Sequence, residues 1–482
     1  MRTRPFLLAA CLLASGLTPL ALAAPAAHAA TTAAPYDFNG DGYRDLAIGA
    51  PGATVGGKAK AGAVSVVYGS STGLKTTKYQ TFSQNSAGIP GTAETGDAFG
   101  AAVTSADLNT DGYADLLVGA PGEDTPGDVD SGTVVIIWGG PSGLSGARTL
   151  IDYSGMEDAD RYGQALAAGD FDGDGDDDVA VGGTGRSNIW IVEGKFTKTG
   201  DFGGGMGSGL GSAPEPFNTT YGVEYLSAGD INGEGWDSLV IHGRAKGTDD
   251  ALTAVADARI GNFADWLEYI PGGYVSAVGD VDKDGYADIV IGNQREPSAD
   301  PSGALGGKVT LVHGAPEAEW VNARFTSEFT QATNGVPGTA ESGDGFGKSV
   351  ALGDINGDGY ADLAAGAAYE SFSGAEDTGT VTILYGNATN FSASGAVTLS
   401  QSTAGVPGTA ESNDRFGGRV LLSDMTKDGK ADLTVAAPNE NDGDGAIWSF
   451  RGASPSTAKS FGPSTTAVST SGAPAFGTTL GG

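Results

Sequence analysis

The sequence predicts an all-β fold assembled from repeated small sheets, and three observations carry that expectation. One nine-residue acidic pattern recurs seven times, so the chain is an array rather than a single irregular core. Every copy runs directly into a short alternating apolar segment of strand type. The composition agrees: 81 Gly and 21 Pro in 482 residues, with only 18% charged residues, fit neither a coiled coil nor a helical bundle.

The copies are DFNGDGYRD from Asp37, DLNTDGYAD from Asp107, DFDGDGDDD from Asp170, DINGEGWDS from Asp230, DVDKDGYAD from Asp280, DINGDGYAD from Asp354 and DMTKDGKAD from Asp424. Their intervals of 70, 63, 60, 50, 74 and 70 residues spread them over the whole chain, leaving no room for a second domain. Segments such as Leu46-Ala47-Ile48-Gly49 and Leu116-Leu117-Val118-Gly119 follow position 9, which places the acidic loops between strands.

Oxygen side chains at positions 1, 3, 5 and 9, with Gly at position 6, suit a hard cation such as Ca2+. Calcium takes six to eight oxygens, and Gly lets the loop fold back so that alternate side chains converge. An EF-hand would need a carboxylate at position 12, where this chain has Ile48, Val118, Val181, Ile241, Ile291, Ala365 and Val435, so that helix pair is excluded. A lone Asp-Gly or Asn-Gly is ordinary turn chemistry; seven aligned copies argue for a shared ion-binding role. Positions 1, 3, 5 and 9 hold 22 of the 59 acids.

The expected ligand set, with position 7 included, is as follows. The first loop offers Asp37, Asn39, Asp41, Tyr43 and Asp45; the second, Asp107, Asn109, Asp111, Tyr113 and Asp115. The third offers Asp170, Asp172, Asp174, Asp176 and Asp178; the fifth, Asp280, Asp282, Asp284, Tyr286 and Asp288; the sixth, Asp354, Asn356, Asp358, Tyr360 and Asp362. Two loops depart from the pattern. The fourth has Asp230, Asn232 and Glu234 but Ser238 at position 9; the seventh has Asp424, Asp428 and Asp432 but Thr426 at position 3, with Lys427 and Lys430 nearby.

Each loop belongs to a larger module. An aromatic-Gly pair stands eight residues before it (Phe99-Gly100, Tyr162-Gly163, Phe346-Gly347, Phe416-Gly417), and Gly-Ala-Pro or a relative follows, as at Gly49-Ala50-Pro51 and Gly119-Ala120-Pro121. A further alternating strand ends in aromatic-Gly, as from Val64 to Gly69 and from Val134 to Gly139. In this the chain resembles the FG-GAP repeat family, the seven-bladed β-propellers found in integrin α subunits. The resemblance spans residues 31–482 and includes three near-identical stretches, Gly88 to Phe99, Gly335 to Phe346 and Gly405 to Phe416. Departures cluster in the fourth and fifth repeats, where Tyr221-Gly222 is offset, Gly273-Tyr274 is reversed and Gly-Ala-Pro is missing.

The expected fold class is therefore an all-β, seven-bladed β-propeller closed by pairing of C-terminal and N-terminal strands. The first loop has no Phe-Gly before it, whereas Phe476-Gly477-Thr478-Thr479-Leu480 has no loop after it, so joined head to tail they complete one module.

Residues 1–29 read as a secretory signal: Arg2 and Arg4 precede an apolar run, and Ala27-His28-Ala29 is a small-residue cleavage pattern. The stretch before Cys11 is too short for a lipoprotein signal, and the interrupting Pro19 and Pro25 disfavour an anchor. The propeller would then be residues 30–482, exported, with no transmembrane segment and no cysteine for a disulfide. Calcium is expected to take over that stabilising role.

The 26 Lys and Arg against 59 Asp and Glu give a net charge of −33, which disfavours nucleic acid and anionic lipid as partners. No P-loop, nucleophile elbow, zinc motif or cysteine nucleophile is present, so no catalytic residue is expected. His242 and His313 read as structural. Trp138, Trp190 and Trp448 are assigned to the aromatic slot of the third strand and Trp236 to the loop slot held elsewhere by Tyr. Trp266 and Trp320 fall outside the pattern and are the candidate ligand-binding residues. The Gly/Ser-rich stretch Gly203 to Gly211 is expected to be mobile, and residues 251–270 to form strands despite near-helical spacing.

The resemblance implies a monomeric extracellular adhesion or ligand-binding protein, its ligand a protein or glycan bound on loops opposite the calcium loops. A secreted hydrolase or lyase on polysaccharide or phosphoester, and a lectin-like propeller, are the alternatives.

Overall fold

The computed structural model describes residues 32–482 apart from 126, 151–158, 186–188, 200–205, 209–216, 258–266, 317–320 and 373. Seven four-stranded antiparallel sheets form the blades of a propeller ring. In blade order the inner strands are Thr479–Gly481, Ala102–Ala106, Ala159–Gly169, Val223–Gly229, Val275–Gly279, Phe346–Gly353 and Arg419–Ser423. The second strands are Leu46–Ala50, Asp115–Ala120, Asp178–Gly185, Ser238–Arg244, Asp288–Asn293, Asp362–Ala367 and Asp432–Ala437. These second strands are apolar along nearly their whole length because both of their faces are covered by neighbouring blades.

The ring closes as the sequence predicts. Thr479–Gly481 pairs with Leu46–Ala50, with Ala47 opposite Gly481, Ile48 opposite Leu480 and Gly49 opposite Thr479. The first sheet is thus built from both ends of the chain, and no inner strand edge is left open.

The core is divided rather than central. Among the described residues there are seven apolar clusters, and each draws its members from two consecutive blades. Phe99, Phe346, Phe416 and Phe476 are fully buried in these junctions. The glycine after each aromatic is required by contact. Gly100 has φ +90°, and a Cβ there would stand 2.6 Å from the Ala63 carbonyl oxygen; a Cβ on Gly49, of the preceding blade, would stand 2.2 Å from the Gly100 carbonyl oxygen. The two glycine motifs therefore let adjacent blades meet backbone to backbone.

Two expectations change, and a third, strands within residues 251–270, holds. Trp138 holds the aromatic slot, but Trp190 and Trp448 lie opposite Val181 and Val435, three residues earlier in register; both are buried junction residues instead. Within the glycine-rich stretch, Met206–Ser208 is the outer strand of blade three, paired with Ile189–Val192, so that part is ordered by sheet hydrogen bonds. Ala251–Asp257 and Leu267–Ile270 are strands, because pairing with the neighbouring strand outweighs their helix-like spacing.

Candidate metal centre

Six acidic loops join an inner strand to its second strand and the first leads into Leu46–Ala50, the second strand of blade one, so all seven lie on one face of the ring. The seven position-6 glycines have φ between +81° and +95°, the turn that folds each loop back on itself. Position 1 grips the loop through its own backbone. In the first loop the Asp41 and Gly42 N–H groups donate to the Asp37 carboxylate at 3.1 and 2.8 Å, and the Asp41 N–H also donates to Asn39 Oδ1 at 3.1 Å. Position 5 accepts the position-7 N–H, as in Tyr43 to Asp41 at 3.0 Å.

Position 9 does something different. Asp45 is fully buried, with Oδ2 accepting the Phe38 N–H at 3.1 Å and Oδ1 the Gly69 N–H at 2.9 Å. Asp178, Asp288 and Asp362 repeat that double bond to the start of the loop and the end of the third strand. Asp432 accepts from Thr426 and Gly452, and Asp115 from Gly139. This carboxylate ties two strands to the loop.

The carboxylates converge. Ligand atoms of Asp170, Asp172 and Asp178 lie within 4.8 Å of one another, as do those of Asp280, Asp282 and Asp284 and those of Asp282, Asp288 and His313. Burial, with little compensating positive charge, pushes Asp45 and Asp115 up to about 8, Asp178 to about 7 and Asp362 to about 6; hydrogen bonds from backbone N–H groups oppose the shift and neighbouring loop acids add to it. Asp280 Oδ1 is buried and accepts no hydrogen bond. Buried carboxylates that repel one another fit a divalent cation, which would supply the missing counter-charge and hold the oxygens together.

Position 7 contributes otherwise than its place in the ligand set implies. The Tyr113 ring stands 2.7 Å from where a Cβ on Gly40 would be, Tyr286 does the same to Gly233, and Trp236 lies 3.2 Å from that point on Gly173. Where position 4 is lysine, its ammonium covers the next loop's tyrosine: Lys283 over Tyr360 at 4.1 Å and Lys427 over Tyr43 at 5.9 Å. Outside the third loop, where position 7 is Asp176, this side chain locks each loop to the one before, and only its backbone carbonyl is left for an ion.

Lys427 and Lys430 also point away from their own loop, Lys430 donating to the Asn356 carbonyl at 2.7 Å. They do not cancel Asp424, Asp428 and Asp432. By contrast Lys195 meets Asp174 at 3.1 Å and Lys198 meets Asp111 at 2.7 Å, both at exposed positions.

Two residues that loop spacing did not reveal belong to this face. Asp257, 1% exposed, lies directly opposite Ser238 in register, so blade four returns from its third strand a carboxylate missing at position 9. His313 Nδ1 lies 3.2 Å from Asp288 Oδ1 and 3.4 Å from Asp282 Oδ2, and these acids raise its pKa. The usable signal was the residue at the end of the third strand, Tyr68 or Trp138 in regular blades, replaced by Asp257 and His313 here. His242 is structural: it is fully buried, with ring nitrogens 3.0 Å from the Gly273 carbonyl oxygen and 2.7 Å from Ser276 Oγ, and burial pushes it down to about 4. Trp266 and Trp320 lie outside the described residues.

The FG-GAP repeat family matches residues 29–67, 99–137, 162–192, 272–312, 346–384 and 416–450. Blade four is the one without a match. The phosphatidylinositol-glycan-specific phospholipase D of Bos taurus is 36% identical over 156 residues, 30% of this chain and 18% of that protein. Integrin alpha-7 of Mus musculus is 34% identical over 152 residues, 30% of this chain and 12% of that protein. The chain therefore spans less than a fifth of the length of either relative. Among solved structures, a rhamnogalacturonan lyase of Bacillus licheniformis aligns with a TM-score of 0.42 at 12% identity, covering 85% of this chain and 70% of that one.

Proposed function

The chain belongs to the FG-GAP repeat proteins, and on that premise we propose that it is an exported, calcium-stabilised propeller that binds an extracellular protein or glycan. The observation that supports this most strongly is the convergence of carboxylates in the third and fifth loops, together with the buried position-9 aspartates such as Asp45 and Asp115, a repulsion that bound Ca2+ would offset. The residues that would hold it are those at positions 1, 3, 5 and 9 with the position-7 carbonyl, joined by Asp257 in the fourth loop and His313 in the fifth. The ion would fix loop geometry and join blades; it performs no step of chemistry in this reading.

Catalysis finds little support in the residues that could carry it. Of the histidines after the proposed signal, His242 is enclosed in the core and His313 faces the fifth loop. No helix among the described residues is long and apolar enough to cross a membrane. Residues 1–29 would direct export and be removed, leaving residues 30–482 as the working molecule.

Metal analysis of the purified protein, with glycan and extracellular-protein arrays run in calcium and in EDTA, tests the reading. Bound calcium and calcium-dependent binding are expected. A metal-free protein, or one that binds nothing on either array, would refute it.

A further inference from the structure

Six inner strands run into an acidic loop and the seventh, Thr479–Gly481, lies antiparallel to the strand that follows the first loop, so the first residues of all seven gather on the face opposite the acids. There the axial channel opens into a pocket of about 130 Å³ lined by all seven inner strands. Arg419 and Glu224 line it, and Lys348, the third residue of the blade-six inner strand, adjoins Ser349 of the same lining. In a chain of net charge −33 this is an unexpected place for cations.

Their pairing is incomplete. Glu224 is taken by Arg244, whose Nε and Nη2 donate to its two carboxylate oxygens at 3.1 Å each. Arg419 spends Nε on the Thr478 carbonyl at 2.9 Å, which leaves its terminal nitrogens. Among the described residues no carboxylate forms an ion pair with Lys348 or Arg419. Burial pushes Lys348 down to about 8, with Arg419, Arg415 and Arg295 adding to the shift and Glu224 opposing it. Half-buried like charges with no counter-charge favour an anion in their midst.

The neutral polar groups reinforce this selectivity. Gln164 Nε2 donates to the Tyr221 and Val223 carbonyls at 2.8 and 2.7 Å, Ser349 Oγ to Gly417 at 2.7 Å and Thr479 Oγ1 to Ala101 at 2.9 Å. Their donors are spent on joining blades, which leaves the cations and the Tyr225 hydroxyl as the donors available to a ligand. Beside it, an open groove of about 290 Å³ over blades three and four shares Gln164 and Glu224 with the pocket and adds Arg161, Thr184 and Tyr221. A ligand with an anionic end and a polar body fits the pair of spaces.

We propose that the axial pocket binds the carboxylate of an acidic sugar, held by Lys348 and Arg419, with the attached saccharide lying in the groove over blades three and four. This rests on the ligand-binding reading above and supplies its ligand class and face.

Calorimetry on the full chain in calcium, at pH 7, tests it with sodium glucuronate, a hyaluronan tetrasaccharide, acetate and glucose as probes. Glucuronate is expected to bind, the tetrasaccharide at least ten-fold tighter, acetate weaker and glucose not measurably. Binding should weaken with added salt, and should weaken between pH 7 and 9 as Lys348 loses its proton, but not in Lys348→Arg. Lys348→Met and Arg419→Gln should each lower glucuronate affinity at least ten-fold. Because Arg419 also holds Thr478, the lysine variant and the salt dependence of the unaltered protein stand as independent readouts.

Glucose binding as tightly as glucuronate, or unchanged glucuronate affinity in Lys348→Met, would overturn the proposal. Acetate matching glucuronate would overturn its saccharide part. A protein that binds only neutral glycans or proteins on arrays would sink this inference while leaving the ligand-binding reading intact; one that binds none of these would remove both.

Discussion

At the scale of single residues, the position-9 aspartate is the most consequential side chain of each regular loop. Asp45 is fully buried and both its oxygens accept backbone N–H groups. Replacing it by Ala strands two buried donors, each worth about 1–3 kcal/mol, so Asp45→Ala is expected to cost about 2–6 kcal/mol in chemical denaturation even without calcium. An unchanged denaturation midpoint would contradict this account. Asp257 provides the complementary case. Its carboxylate lies opposite Ser238, so Asp257→Asn is expected to lower the number of calcium ions bound by one, read by metal analysis, while Ser238→Ala leaves it unchanged. Loss of an ion from the serine variant alone would show that blade four uses the regular position after all.

At the scale of elements, blades meet at apolar junctions that also bury acids on the face away from the loops. Glu440 is pushed up to about 7, first by burial and then by the neighbouring Asp414, while Gln401 donates to it at 2.7 Å. Glu123 is likewise raised to about 7, by burial with Asp97 and Glu94 adding to it. A carboxyl whose folded pKa lies above its unfolded value near 4.5 favours the fold while protonated. That contribution is complete below about pH 4.5 and is lost as pH rises through about 7. Melting temperature is therefore expected to fall between pH 5 and 8, and Glu440→Gln to flatten that fall. An identical pH profile in the variant would refute the assignment. The closing strand is the other test at this scale. Thr479–Gly481 supplies the inner strand of blade one, and Phe476 fills the junction between blades seven and one. Removing residues 474–482 should open the ring and lower the melting temperature sharply; an unchanged curve would show that the velcro-like pairing is dispensable.

At the scale of the whole molecule, the ring has no disulfide in residues 30–482 and its apolar core is split into seven junctions. Calcium at about 1 mM, with affinities of ~0.1 mM at the tighter sites, would stabilise each by about RT ln 11, or ~1.4 kcal/mol. Five such loops would contribute up to ~7 kcal/mol, comparable with the stability of a typical domain. EDTA is accordingly expected to lower the unfolding free energy by several kcal/mol. Unfolding indifferent to chelation would remove calcium from the account. The two faces also differ chemically: acids crowd the loop face, while Lys348, Arg415 and Arg419 gather at the opposite mouth of the channel.

The sequence by itself determined the repeat, its count, the strand-flanked acidic loops and the joining of the two ends, because each is a local pattern written seven times with fixed spacing. Gly42 and its equivalents were legible for the same reason: the turn they make depends on their own backbone. Only the tertiary structure decided what meets across strands and between blades. Asp257 replaces a loop carboxylate because sheet register sets it against Ser238, 19 positions away. The tyrosines of position 7 turn to the neighbouring loop because the ring brings that loop within reach. Arg419 lines the axial pocket and Lys348, 71 residues away in the chain, adjoins Ser349 of the same lining, because all seven inner strands surround one axis. Spacing along a chain encodes contacts within a loop; contacts between blades depend on closure of the ring, which no single segment contains.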